Sequence, residues 1–289
     1  MRFGFLLKRG KPEARAIAAD LGRVLHQQGC APVVLEEDAS ALPGARVVST
    51  EQLGGAIDAL VVLGGDGTLL FGAGLVADHG VPIFGVNLGS LGFITHYARN
   101  EAAHALAEAC HGRLGIEERV RLAITIGGTG GPGDGESRCA VNDAVFTQPA
   151  LARLLDLEAR LDGAVIATYK ADGLIVATPT GSTAYTLAAG GPILTPDVEA
   201  TILTPICPHT LTHRPIVVRS DAEVRVTNVS GGPAHLTVDG QWGNEIPDRG
   251  WITVRKAAKP LRLFKSPTPF FGILRKKLSW GERKVDGNE

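Results

Sequence analysis

The sequence predicts a two-domain protein: an amino-terminal α/β domain built on a parallel sheet, followed by a mainly β carboxyl-terminal domain. Three observations carry this. The chain has 289 residues, which corresponds to roughly two domains of ordinary size. Up to about residue 115, unbroken apolar runs alternate with helical patterns, as expected of parallel strands covered on both faces. Beyond that point short strand patterns follow one another with Gly, Pro and Asn between them, the pattern of an antiparallel β domain. The domains read as 1–115, rejoined by the closing segment 258–289, and 116–257.

In order, residues 3–7 form a buried strand. Pro12 sits where a first helical turn tolerates proline, and Ala16, Ile17, Val24 and Leu25 supply the apolar face of the helix that follows. Strands are expected at 33–35, 59–63 and 83–86, and helices at 69–79 and 101–110, with Gly72 and Gly74 weakening the first of these helices. In the second domain strands are expected at 121–126, 155–161, 165–169, 174–177, 216–219, 223–227, 235–238 and 251–255. One more follows at 261–265, before a polar tail expected to be mobile. The glycine-rich stretch 127–135 reads as a hairpin connection.

Composition limits the partners. Twenty-nine basic and 30 acidic residues leave a formal charge of −1, which argues against an extensive basic surface for nucleic acid or anionic membrane. The apolar run at 3–7 stops at Lys8, too short for the core of a secretory signal, and no run is long enough to suggest a membrane helix. Cys30, Cys110, Cys139 and Cys207 lie far apart with no metal-ligand spacing, so a cytoplasmic protein without structural zinc or a disulfide framework is expected. Thirty-seven glycines are nearly twice the usual share of about 7%, which points to tight turns or to a backbone that approaches a ligand.

Three segments carry chemistry. Gly64-Gly65-Asp66-Gly67-Thr68 follows the strongest strand and opens a helix, so its backbone N–H groups can converge on an anion. A carboxylate in such a loop either caps the helix or does work there, by holding Mg²⁺ or by taking a proton from an attacking hydroxyl. The second segment, 85–93, brings Asn87, Gly89, Gly92 and Phe93 to the same sheet edge, unless it is only a glycine-rich turn with Phe93 in the core. In the third, a buried strand is flanked by Lys170 and Asp172 and then by Thr178, Thr180, Ser182, Thr183 and Tyr185, hydroxyls suited to a sugar, a phosphate or a base edge. Gly128, Gly130 and Gly133 satisfy G-x-G-x-x-G, but Pro132 interrupts the pattern and no suitable helix follows, so a dinucleotide fingerprint is rejected.

GGDGT, NLGSLGF, Asn142-Asp143 and DGLIVATPTGSTAY with the following Ala189-Gly190-Gly191-Pro192 together resemble the NAD kinases of the bacterial type, over about residues 2–280. GGDGT alone is shared with diacylglycerol, sphingoid-base and phosphofructo-kinases; the long third motif is the specific one. The resemblance implies that ATP phosphorylates the 2′-hydroxyl of the adenosine ribose of NAD, with Mg²⁺ or Mn²⁺ carried by ATP and no protein metal cage. It implies that Asp66 accepts the proton, with Gly67 beside the substrate. Asn142 and Asp143 match the pair that holds adenine and ribose, with Asp143 where the family more often has Glu. Lys170 and Asp172 match positions near the second nucleotide half. Thr183, Ala184, Tyr185, Thr186, Leu187 and Ala188 match T-A-Y-x-x-S with the last Ser replaced. Arg153 and Gln241 match two further binding positions. The resemblance also implies a homodimer or homotetramer. A lipid kinase of the same superfamily, or a dinucleotide sensor without activity, are the competing readings. The first would need an apolar pocket mouth, and the second is disfavoured by the intact Asp66.

His209 and His213 lie four apart but between Pro208 and Pro215, so no metal site is expected there; Trp242 and Trp251 read as core or interface aromatics.

Overall fold

Strand β1 (Arg2–Leu7) is buried from Phe3 onward, which is why it reads as an apolar run without alternation. It lies between β2 (Ala31–Leu35) and β4 (Ala59–Gly64), both parallel to it. Outside these run β3 (Arg46–Val48) on one side and β5 (Ile83–Asn87) on the other, with the short β6 (Tyr97–Ala98) also on β5. The last strand of the chain, β20 (Leu261–Phe264), pairs parallel with β5, and β7 (Ile116–Arg119) closes the edge. The computed structural model describes residues 1–130, 134–149 and 154–279. Among these the chain divides into one unit made of Met1–Glu117 with the segment beginning at Arg262, and a second made of Glu118–Leu261.

In the first unit, helices cover the sheet. α1 (Pro12–Gln27) buries Ala14, Ile17, Ala18, Leu21 and Leu25. The expected face is corrected at two positions: helical periodicity leaves Ala16 in solvent and Val24 at the margin. α2 is a single turn, Leu53–Ala56. α3 (Asp66–Val76) begins earlier than expected and gives way to a 3₁₀ turn over Ala77–His79. Its Gly72 lies flat on the sheet, where a β-carbon would meet Leu6 at 2.9 Å and Leu60 at 3.0 Å. α4 (Arg99–Cys110) packs on the same core as α1, which includes Phe3, Phe5, Leu63, Phe84 and Leu106. Phe84 stacks on Tyr97 at 4.1 Å, and the Tyr97 hydroxyl donates to Lys265 O at 2.6 Å, tying the closing segment down. Truncating a core aromatic such as Phe84 to Ala would cost about 3–5 kcal/mol.

The second unit holds two antiparallel sheets, each six-stranded among the described residues. One contains β8 (Leu122–Gly127), β9 (Ser137–Ala140), β11 (Leu155–Leu161) and β12 (Ala164–Ala171), with β16 (Val224–Asn228) and β19 (Trp251–Lys256). The other contains β10 (Asp143–Thr147), β13 (Gly173–Ala177), β14 (Ala200–Ile206), β15 (Ile216–Arg219), β17 (Ala234–Val238) and β18 (Trp242–Ile246). Alternation is clearest in β11, where Leu155, Leu157 and Ala159 point into a core shared with Phe146, Leu174 and Leu236 of the other sheet. On β8 the same core takes Leu122, Ile124 and Ile126, all fully buried. β13 and β14 are buried throughout, because Val145, Ile175, Ala177, Ile202 and Ile206 form a second cluster beneath Ala189 and Leu194. No helix among the described residues is long and apolar enough to cross a membrane.

Candidate active site

The two glycine-rich loops of the first unit leave the same edge of its sheet. β4 and β5 are parallel neighbours with Leu63 opposite Val86 and Gly64 opposite Asn87, so both loops start at the strands' carboxyl ends, where open α/β sheets bind ligands. The Leu88 N–H donates to Gly64 O at 3.1 Å and joins them. Gly64 is required by Thr68, whose Oγ1 would lie 2.4 Å from a β-carbon there.

Asp66 is the first residue of α3, and Gly65 stands at the N-cap with no side-chain cap. The capping role is therefore overturned: the Asp66 carboxylate turns to the second loop. Oδ2 accepts the Phe93 N–H at 2.8 Å. Oδ1 accepts the N–H groups of Ile94 (3.2 Å) and Thr95 (3.1 Å) and the Thr95 hydroxyl (2.8 Å). Thr95 Oγ1 in turn accepts from Asn87 Nδ2 at 2.9 Å, while Asn87 Oδ1 accepts the Gly89 N–H at 2.6 Å. Asn87, Thr95 and Asp66 thus form one chain of hydrogen bonds, with Asn87 and Thr95 buried, and Gly92 lets the loop close on it. A cavity of about 350 Å³ opens here, lined among others by Lys8, Lys11, Asp66, Asn87, Ser90 and Lys277. Lys277 stands on α6 (Phe270–Leu278), its ammonium 5.2 Å from the centre of the Phe93 ring.

In the second unit Asn142 and Asp143 lie where β10 begins, opposite the end of β13, with Asp143 paired to Ala177. The Thr178 N–H donates to Asn142 O at 2.8 Å and the Thr178 hydroxyl to Val141 O at 2.6 Å. Asp239 Oδ1 accepts the N–H groups of Asn142 (2.7 Å) and Asp143 (3.1 Å), and Oδ2 that of Val141 (2.8 Å). Burial, and then the neighbouring Asp239 charge, push the Asp143 carboxyl up to about 7. Burial also raises Asp239, against the lowering effect of its three N–H donors and of Arg121.

The hydroxyl cluster is bonded largely within its own loop. Thr178 also accepts the Gly181 N–H at 3.0 Å; Ser182 donates to Pro179 O at 2.6 Å and accepts the Leu194 N–H at 3.1 Å; Thr183 donates to Thr180 O at 3.2 Å. Each of these hydroxyls is bonded to the loop's own backbone. Thr180 and Thr186 keep buried hydroxyls with no hydrogen-bond partner among the described residues. Ala184 and Leu187 are half-buried, and Tyr185 and Ala188, on the single turn α5 (Tyr185–Ala188), are exposed, as are Lys170 on β12 and Gln241. Asp172 accepts from Gln148 Nε2 at 2.7 Å. Arg153 lies outside the described residues, as do the polar tail after 279 and Gly133 of the rejected glycine pattern. Lys8, Lys11, Lys277, Thr95 and Asp239 were not expected. The Asp-Gly pair at 239–240 is a hairpin signal in the sequence, but the others belong to no motif.

Backbone amides, clustered ammonium groups and one fixed carboxylate suit the transfer of a phosphoryl group to a hydroxyl. Fold and site together define a phosphotransferase with an alcohol acceptor. The family model of the ATP-NAD kinase N-terminal domain matches residues 3–114, and that of the C-terminal domain residues 141–266. The NAD kinase of Geobacter metallireducens is 44% identical over 274 residues, covering 94% of this chain and 96% of the relative. That of Geotalea daltonii is 42% identical over the same shares. An NAD kinase from Archaeoglobus fulgidus, solved in complex with ATP, superposes with a TM-score of 0.76 at 27% identity, covering 96% of this chain and 99% of that one. Yeast NADH kinase, solved with NADH, shares the fold with a TM-score of 0.92 at 24% identity, over 100% of this chain and 90% of that one. The chain belongs to the ATP-NAD kinase family.

Proposed function

We propose that the chain transfers the γ-phosphate of ATP to the 2′-hydroxyl of the adenosine ribose of NAD, giving NADP and ADP, with Asp66 as the proton acceptor. The observation that carries this is a carboxylate fixed by four hydrogen bonds at the edge of a lysine-lined glycine cavity. Three of the four donors converge on Oδ1 and one on Oδ2, so Oδ2 keeps the greater capacity to accept the substrate hydroxyl. As the bond from the ribose oxygen to phosphorus forms and the bond from phosphorus to the ADP oxygen breaks, the hydroxyl proton passes to Asp66. The transition state is loose, so that proton leaves late and orientation is the larger part of the carboxylate's work. Lys8, Lys11 and Lys277 would neutralise the donor phosphates, and Mg²⁺ or Mn²⁺ enters as part of the nucleotide substrate.

The second unit supplies groups for the dinucleotide: Asn142 and Asp143 for adenine and ribose, Lys170 and Asp172 for the other nucleotide half, and residues 183–188, Arg153 and Gln241 as further contacts. We place the enzyme in the cytoplasm as a homodimer or homotetramer. A monomer with full activity would refute the assembly.

The test is NADP formation from NAD and MgATP by the purified protein and by Asp66→Asn. Wild type should turn over, and the variant should bind NAD and lose about 10²–10⁴ in kcat, the range of a positioned proton acceptor. Undiminished turnover in the variant would remove Asp66 from that role. NAD binding without any turnover would make the chain a sensor, and phosphorylation of detergent-solubilised diacylglycerol in place of NAD would make it a lipid kinase.

A further inference from the structure

Asp239 closes the hairpin between β17 and β18. Asp239 (φ +51°) and Gly240 (φ +61°) are both left-handed, and the Gln241 N–H donates back to Val238 O at 3.0 Å. This is a type I′ turn, for which Asp-Gly is a favoured pair. The turn accounts for a small residue that tolerates positive φ. It does not account for a carboxylate.

The side chain leaves the turn and takes the N–H groups of Val141, Asn142 and Asp143 on its two oxygens, while the Asp239 N–H donates to Asp143 O at 2.9 Å. Residues 141 and 142 cross from β9 in one sheet to β10 in the other, so no strand partner is at hand for their donors. The carbonyls of the same stretch are held from the other side by Thr178. A β-carbon on Gly181 would lie 2.2 Å from Asn142 O, so this backbone is enclosed. Placing Asp239 beside the buried Asp143 is costly, because two carboxyl groups then share one desolvated place. A neutral turn residue would avoid that cost, and three charge-assisted bonds offset it.

We propose that Asp239 is a positioning residue for the acceptor dinucleotide: by clasping the backbone of 141–143 it fixes Asn142 and Asp143 for NAD without touching it. The proposal rests on the assignment of Asn142 and Asp143 to NAD under Proposed function. Asp239→Asn and Asp239→Gly both suit the left-handed turn, so each removes the two-oxygen clasp and leaves the hairpin. Each should raise the KM and the calorimetric Kd for NAD by about tenfold or more, as expected when hydrogen bonds to a charged group are lost, with kcat and the KM for MgATP within about twofold of wild type. A folded variant with unchanged NAD affinity overturns the proposal, and so does a loss shared equally by NAD and ATP. Hydrogen exchange on wild type tests the clasp apart from any variant: the amides of 141–143 should be protected without ligand, and exchange at the rate of an open loop overturns it. A wild type that binds no NAD overturns the acceptor assignment instead, and the exchange result is untouched by it.

Discussion

Gly92 lies so close to Asp66 that a β-carbon on it would sit 2.0 Å from Asp66 Oδ1, and equally 2.0 Å from Thr95 Oγ1. The glycine is therefore part of the frame that aims the carboxylate, since only a residue without a side chain lets Phe93, Ile94 and Thr95 bring their donors in.

Gly92→Ala must push the second loop away from Asp66 by an amount on the order of 1 Å. Such a displacement is enough to cost about 10²-fold in rate. The fold should survive, because the contact is local to the loop. Measuring kcat beside a thermal melt decides it: a well-folded Gly92→Ala enzyme with wild-type kcat would show that the frame around Asp66 does not matter to the chemistry.

The lysines around the cavity should act on the donor and not on the acceptor. A hydrogen bond to a charged group contributes about 1.5–3 kcal/mol, so Lys8→Ala or Lys277→Ala should raise the KM for MgATP by about tenfold or more. The KM for NAD should stay within about twofold. Lys8 follows β1 and Lys277 stands on the closing helix, so equal effects from the two would mark the two ends of the chain as joint parts of the donor site. Steady-state kinetics with each substrate varied separately checks this, and an effect confined to NAD would contradict it.

Much of the first unit was legible because its strands are covered on both faces. β1, β4 and β5 are apolar throughout, and the glycine loops follow two of them directly. Edge strands were harder. β9 (SRCA) and β18 (WGNEI) each have a single neighbour among the described residues and turn only Ala140, or Trp242 and Ile246, toward the core, so neither stood out. β14 was hidden for the opposite reason: Thr201, Thr204 and Pro205 interrupt its pattern, although the strand is buried from end to end. In the site, Asp66 and Asn87 could be found from their motifs, but Thr95, which links them, sits in no motif. Asp239 reaches residues 96 to 98 positions away, a distance at which local patterns are silent. The hydroxyls of Thr178, Ser182 and Thr183 bond the chain's own backbone, which composition could not show, since it does not say which of a hydroxyl's bonds stay within the chain.

Asp143 should make stability depend on pH. Its carboxyl is pushed up to about 7 in the fold, whereas in the unfolded chain it titrates near its ordinary value of about 3.9. Between those values the native state holds a proton that the unfolded state releases. The contribution is therefore complete below about pH 4 and is lost as pH rises through 7. Asp143→Asn is neutral at every pH and removes this dependence. Relative to wild type, the variant should gain in melting temperature from pH 5 to pH 8. A difference between the two proteins that stays constant over that range would show that Asp143 titrates normally.

Ala188 offers a gain instead of a loss. The family pattern that the sequence resembles ends in Ser at this position, and here the side chain is an exposed methyl at the end of α5. Being exposed, position 188 accepts a hydroxyl with no burial cost and no strain on the core. If residues 183–188 bind the dinucleotide, Ala188→Ser adds one neutral hydrogen bond, a contribution of about 0.5–1.5 kcal/mol. That corresponds to a Kd for NAD lower by a factor of about 2 to 10. Stability should hardly change, because surface substitutions of this kind stay within about 0.5 kcal/mol. Calorimetric titration of NAD into both proteins reads the difference directly. A Kd that does not move would take position 188 out of the binding surface, while one that rises would mean that the methyl group itself packs against the ligand.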